Sequence, residues 1–255
     1  MKKRITLRDL KKMYGEEKYY NTPNDFGKEG EDHINISIQS ETRIGKVCDP
    51  AYLKVINYPY VGKFNSVSSL WYWVRSENLD DNIRNLTGAK LKAYADQANL
   101  HTNYVPNFKA IIAYATWLKI RSYPDVIKAI KNLDDDIKLL SYHVVKSSGL
   151  RVRTRYADLM ISICDELFKA IKEDREPDFS KFVTDPDKAG LCFMEGVLDK
   201  ILTEEKIEEL KAQEKERLEH RNKKFEDQEE DYEEVSEEEA SSEEETSEET
   251  QSVTA

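Results

Sequence analysis

Phe64-Asn65-Ser66-Val67-Ser68-Ser69-Leu70-Trp71-Tyr72-Trp73-Val74-Arg75 places two of the chain's three tryptophans on a stretch that reads as one short amphipathic helix. Ser66 stands where a side-chain oxygen can accept from the free N–H groups of a first helical turn. Val67, Leu70, Trp71 and Val74 then fall at i, i+3, i+4 and i+7, an apolar face that a core must cover. Ser68, Tyr72 and Arg75 repeat at the same spacing on the other side, so a hydroxyl, a phenol and a guanidinium share one edge. Two readings are open for that edge: the solvated back of a packed helix, or one wall of a cleft.

Upstream of this helix, Ile34-Asn35-Ile36-Ser37-Ile38 alternates apolar and polar residues, and Tyr52-Leu53-Lys54-Val55-Ile56 is an apolar, β-branched run. Both are expected as strands. Thr6, with Asp9 three residues later, predicts a helix over residues 6–14, and a glycine-rich charged loop follows from Tyr20 to Asp32. Downstream, Asp80 to Leu86 reads as a helical piece that stops at Gly88. Phe108, Ile111, Ile112, Ala115 and Leu118 mark a helix starting near Pro106, and Val126, Ile127 and Ile130 mark another after Pro124. Leu139 to Val145 is expected as a strand, Ser147-Ser148-Gly149 as a turn, and Tyr156 to Ile171 as a helix burying Leu159, Met160, Ile163, Leu167 and Ile171. Phe193, Val197, Leu198 and Ile201 mark a last helix that continues as a charged rod toward His220. The expected class is α+β, mostly helical with a small sheet.

Charge divides the chain. Its 39 basic and 50 acidic residues give a net charge of −11, but 22 acidic and only 7 basic residues lie from Thr203 onward. Residues 1–202 are therefore mildly basic, with 28 acidic and 32 basic residues. From Phe225 there are 15 acidic residues, no lysine or arginine, and repeated Ser-Glu-Glu blocks. Such a composition cannot bury enough apolar surface to offset its ordering entropy, so residues 225–255 are expected to be a disordered acidic tail. The expected organisation is an N-terminal helix and loop over 1–32, a folded domain over 33–202, a charged helix or linker over 203–224, and that tail.

Cys48, Cys164 and Cys192 lack CxxC spacing, and with four histidines no zinc-type cluster is expected. Asp134-Asp135-Asp136 lacks the glycine and the distal glutamate of a calcium loop and reads as a polar connection. Arg8 and Asp9 interrupt the segment after the basic start, and no run approaches the roughly 18 apolar residues of a membrane span. A cytoplasmic protein without membrane contact, metal or cofactor is the expectation.

Several motifs occur in an order that resembles the NADAR superfamily, particularly its bacteriophage-encoded, YbiA-like branch. They are Ile34-Asn35-Ile36-Ser37, then Gly45, then Phe64 to Trp73, then Asp81-Asn82-Ile83-Arg84-Asn85-Leu86-Thr87-Gly88, and finally Ser141-Tyr142-His143 before the closing helix. The resemblance covers residues 33–172. It implies an N-glycosidase of the ADP-ribosyl hydrolase type, acting on an ADP-ribose-like or nucleotide ligand. This chemistry uses a carboxylate near the anomeric carbon to stabilise an oxocarbenium-like transition state or to activate water. The family's signature glutamate falls on Ser68, and its Ser-Asn-Phe segment falls near Cys48-Asp49-Pro50. A serine carries no charge, so the resemblance implies a ligand-binding domain whose glycosidase activity is weak or degenerate.

The candidate catalytic positions are thus Ser68 together with Asp49, Asp80 or Asp81 as the carboxylate. The candidate ligand-binding residues are Tyr72, Arg75, Arg84, Tyr142, Arg151 and Arg153. Tyrosine can stack on a base, and arginine pairs bidentately with phosphate. Leu150-Arg151-Val152-Arg153-Thr154-Arg155 would set three guanidiniums on one side of an extended segment. Alternatively, the chain is a non-catalytic interaction protein whose acidic tail binds a basic partner. Direct nucleic-acid binding is not expected from so mildly basic a body.

Overall fold

A computed structural model describes residues 27–101, 105–145 and 150–219. The helix expected over 6–14, the turn at 147–149 and the acidic tail lie outside the described residues. Within them the chain is α+β. Its elements are β1 (His33–Asn35), α1 (Arg43–Cys48), β2 (Ile56–Tyr58), β3 (Gly62–Phe64), α2 (Val67–Trp73), α3 (Gly88–Gln97), α4 (Phe108–Ile120), α5 (Pro124–Lys131), β4 (Lys138–Leu140), β5 (Tyr142–Val145), β6 (Leu150–Arg153) and α6 (Ala157–Lys172). A 3-10 helix spans Asp81–Asn85, and short helical turns follow α6. Contacts divide the chain after Ile201 into two units. In the second, residues 204–219 are helical, with Lys206–Glu209, Lys211–Glu208 and Lys215–Glu219 pairs along the helix.

α2 begins as its sequence dictates: the Ser66 backbone is extended and its Oγ accepts from Ser69 N at 3.0 Å. Val67, Leu70, Trp71 and Val74 are buried, and so are Ser69 and Trp73; of the edge expected from Ser68, Tyr72 and Arg75, Arg75 is buried as well. Ser69 Oγ donates to Leu86 O at 2.7 Å, and the Trp73 ring meets Phe64 edge-on at 5.2 Å. Only Ser68 and Tyr72 remain half-buried along α2. α4 packs against α1, α2, β2 and α6, burying Ile111, Ile112, Ala115 and Ile120. Its first turn is anchored by buried Asn107, at φ 56°, whose amide holds Thr184 N, Asp185 N and Asp185 O.

The described sheets have two strands each. β1 pairs with β4 in parallel, Asn35 opposite Leu140; β2 pairs antiparallel with β3, Ile56 opposite Phe64; β5 pairs antiparallel with β6, Tyr142 opposite Arg153. The single strand expected over Leu139–Val145 is broken at Ser141, because its hydroxyl turns inward to Ile36 O at 3.0 Å and to Thr154 Oγ1 at 2.7 Å. In the Tyr52–Ile56 run only Ile56 is in a strand. Tyr60 and Gly62, at φ 66° and 92°, make the tight turn that sets pairing downstream of it, and Leu53 and Val55 are exposed. Gly88 starts α3 rather than ending the preceding piece. α1 and α3 were not legible as helices: the first has six residues, and the second buries only Leu91 and Ala95. Gly45 of α1 lies so close to β1 that an added Cβ would stand 2.2 Å from Asn35 O, which explains why this turn carries no side chain.

α6 buries Met160, Ile163, Leu167 and Ile171, leaves Leu159 half-buried, and also buries Glu166. The Glu166 carboxylate accepts from Arg175, Lys181 and Asp178 N, each at 2.8 Å. Burial alone would raise its pKa, but hydrogen bonds from Lys181, Arg175 and Asp178 N outweigh it and bring the group from 4.5 down to about 2. A carboxyl depressed on folding contributes stability above its unfolded pKa, and that contribution is lost as pH falls through the folded value. Urea unfolding should therefore show a loss of about 1–2 kcal/mol between pH 5 and pH 2 that is absent from Glu166→Gln, the figure being reduced for screening at the half-exposed partners.

Candidate ligand cleft

The C-terminus of α1 and the N-terminus of α2 are brought side by side by a hydrogen bond from Ser68 N to Pro50 O at 2.9 Å. Asp49, Pro50 and Ala51 form one wall of a cleft there, and Ser68, Trp71 and Tyr72 of α2 form the next. Ile36 beyond β1, Ser141 between β4 and β5, and the Thr154-Arg155-Tyr156 turn with Met160 of α6 close the third side. The cleft encloses about 160 Å³. This is below the roughly 300–1,000 Å³ of pockets that engulf a drug-sized molecule, so it suits one ring-sized group with the remainder outside.

Asp49 is the carboxylate of this cleft. Its Oδ1 accepts from Ala51 N at 2.6 Å and its Oδ2 from Ile38 N at 2.9 Å. Burial pushes the carboxyl above its ordinary value, opposed by the Ala51 N–H, the Lys119 charge and the Ile38 N–H. Behind it, Lys119 of α4 is fully buried and donates to Asp49 O at 2.7 Å. Burial brings that ammonium down to about 8, against the attraction of Asp49.

Aromatic rings make up much of the remaining surface. Trp71 packs at 4.6 Å from Tyr156 and edge-on at 4.9 Å from Phe108, and its buried indole N–H has no acceptor among the described residues. The Tyr72 phenol is raised by burial and by Tyr156, and its ring meets His101 edge-on at 5.6 Å. Arg155 is exposed at the mouth, its guanidinium 5.4 Å from the Tyr156 ring centroid.

Of the residues singled out from the sequence, Asp49, Ser68 and Tyr72 share this cleft; the others lie elsewhere. Arg75 is buried behind the wall, 4.3 Å over the Phe108 ring, with Nη1 donating to Tyr156 Oη at 3.3 Å and His101 O at 3.4 Å. Arg84 stacks at 4.3 Å over Trp73 and 4.5 Å over Phe64, donates to Val61 O at 2.6 Å and pairs with Asp81. Asp81 also accepts from Trp73 Nε1 at 3.2 Å, and Asp80 accepts from Tyr94 Oη and Asn82 N. Tyr142 points away from the cleft: its hydroxyl bonds His33 Nε2 at 2.9 Å, and Arg151 lies 5.0 Å over its ring. Arg153 pairs with Asp158. Of the three alternating arginines it is Arg155, beyond the strand, that reaches the cleft. Asp135 pairs with Lys172 at 2.6 Å at the edge of a separate cavity of about 370 Å³.

Ser141, Thr154, Tyr156 and Lys119 were not anticipated. For Lys119 a signal was present: Ile112, Ala115, Thr116 and Lys119 fall at i, i+3, i+4 and i+7, which puts the lysine on the buried face of α4. Comparison of the chain with known protein families, with curated proteins and with solved structures returns no match.

The contrast between Arg84 and Ser68 is measurable. Arg84→Ala removes a carbonyl bond and two ring contacts and should lower unfolding free energy by about 1–3 kcal/mol. Ser68→Ala should change it by less than about 0.5 kcal/mol in the same denaturant titration.

Proposed function

We propose that the cleft binds the ribosyl end of an ADP-ribose-like or nucleotide ligand, on a domain of the NADAR type. The observation that carries the reading is the half-buried Asp49 carboxylate in the same small cleft as Ser68, the position to which the family resemblance assigns a glutamate. Hydrolysis of an N-glycoside adds water to the anomeric carbon while the base departs with the C–N bonding pair and gains a proton. Positive charge accumulates on the sugar in between, and a carboxylate beside it stabilises that charge or takes the proton from water. Asp49 is assigned that role here. A carboxyl raised by burial is a better proton acceptor than an ordinary one.

The other walls suit the rest of such a ligand. Trp71, Tyr72 and Tyr156 offer ring faces and polar tips to a base or sugar. Arg155, exposed at the mouth, is placed for phosphates that a cleft of ring size leaves outside.

Calorimetric titration with ADP-ribose is expected to show saturable binding that weakens at least about tenfold in Tyr72→Ala, the loss of one stacked ring. Chromatographic assay with ADP-ribosylated guanosine should show base release that is lost in Asp49→Asn. A folded wild-type chain that binds neither ADP-ribose nor a mononucleotide sinks the reading; binding without turnover leaves the ligand site and removes the hydrolase.

A further inference from the structure

Lys119 has no exposed surface, on a helix whose neighbouring inward positions are Ile112, Ala115 and Thr116. Burying an ammonium is expensive unless it is compensated, and a methionine of similar volume would fill the same space without that expense. The lysine is spent on one contact: its Nζ reaches the main-chain oxygen of Asp49 at 2.7 Å. Asp49 is consequently held at three atoms, its carbonyl by Lys119, Oδ1 by Ala51 N and Oδ2 by Ile38 N. The first comes from α4, the second from the turn itself and the third from the segment after β1, so three parts of the fold converge on one residue of the cleft.

We propose that Lys119 is a positioning residue for the cleft: from behind its floor it fixes the Asp49–Ala51 turn and sets its positive charge behind the Asp49 carboxyl. This rests on the reading of Asp49 as the ligand-facing carboxylate. Lys119 faces Asp49 and Cys48 at the end of α1 and Cys164 of α6; Asp49 faces Lys119 on one side and Tyr72, Arg155 and Tyr156 across the cleft. The Cys164 thiol, pushed up by a hydrogen bond with Cys48 and by burial, stays neutral. Lys119 is therefore the cation behind the floor, and Asp49 the anion it compensates. The signs agree: burial raises the Asp49 carboxyl, the Lys119 charge lowers it, and burial lowers Lys119 itself to about 8.

The test follows the Asp49 carboxyl carbon by NMR against pH in the full-length chain, with Asp49→Asn for assignment, in wild type and in Lys119→Met. Removing the charge is expected to raise the Asp49 midpoint by about one pH unit or more, a tenfold smaller ionised-to-neutral ratio at a given pH. The acid limb of the ADP-ribose affinity profile should move the same way. In wild type the Asp49 signal should also inflect near pH 8, where Lys119 loses its proton. An unchanged Asp49 midpoint in folded Lys119→Met overturns the proposal, as does a shifted midpoint with an unmoved affinity profile. If Lys119→Met does not fold, a wild-type Asp49 signal without the second inflection overturns it. The carboxyl titration needs no ligand, so failure of ADP-ribose to bind counts against the function reading separately.

Discussion

The hydroxyl of Ser141 ties together three distant parts of the chain. It donates to Ile36 O and bonds the hydroxyl of Thr154, while the next residue's N–H reaches Asn35 Oδ1 at 2.9 Å. These bonds extend the parallel pairing of β1 with β4 and attach it to the turn before α6. Parallel strands require a crossover, and here the crossover contains α1 through α5. Asp49, Ser68 and Lys119 are all carried on it, so the cleft is closed at the place where the crossover returns. A buried hydroxyl with fewer partners would leave polar groups unsatisfied at the junction, which is why this position bonds in two directions.

A second theme is polar burial around that junction. Asn35, Ser40, His33, Lys119 and Arg75 are nearly or fully buried, each at a join between elements. Ser40 Oγ and Asn35 N both address Glu29, and Arg75 lies among Trp71, Phe108 and Tyr156. Such groups add less to stability than apolar packing of equal volume, but they permit few alternative arrangements. Trp71 and Tyr156 line the cleft and also lie beside the Arg75 guanidinium, which is 5.3 and 5.7 Å from their ring centroids. The aromatic wall is thereby held in one orientation.

Legibility from the sequence followed locality. The Ser66 cap and the Val67, Leu70, Trp71, Val74 face are properties of nine consecutive residues, and they occur as read. α6 and α4 were legible for the same reason, their apolar residues recurring over three turns or more. The back of α2 was not: Trp73 is covered by Phe64 and Arg84, residues whose proximity depends on the β2–β3 turn and the 3-10 helix. Alternation around Ser141 was visible, but whether Ser141 or Tyr142 would face the cleft depends on which side of β1 the returning strand presents. Arg151 and Arg153 likewise share the Tyr142 face through the β5–β6 register, leaving Arg155 at the cleft.

The sequence by itself determined the α+β class, the capped tryptophan helix, the long closing helix and the division between a mildly basic body and an acidic remainder. Each of these follows from short-range periodicity or from composition. Tertiary structure alone decided that Asp49 and Ser68 share a cleft, that Arg84 and Arg75 serve ring packing, and that a lysine 70 residues from Asp49 stands behind it. Those outcomes depend on long-range pairing, where desolvation and the available partners, rather than residue type, set what a charged side chain does.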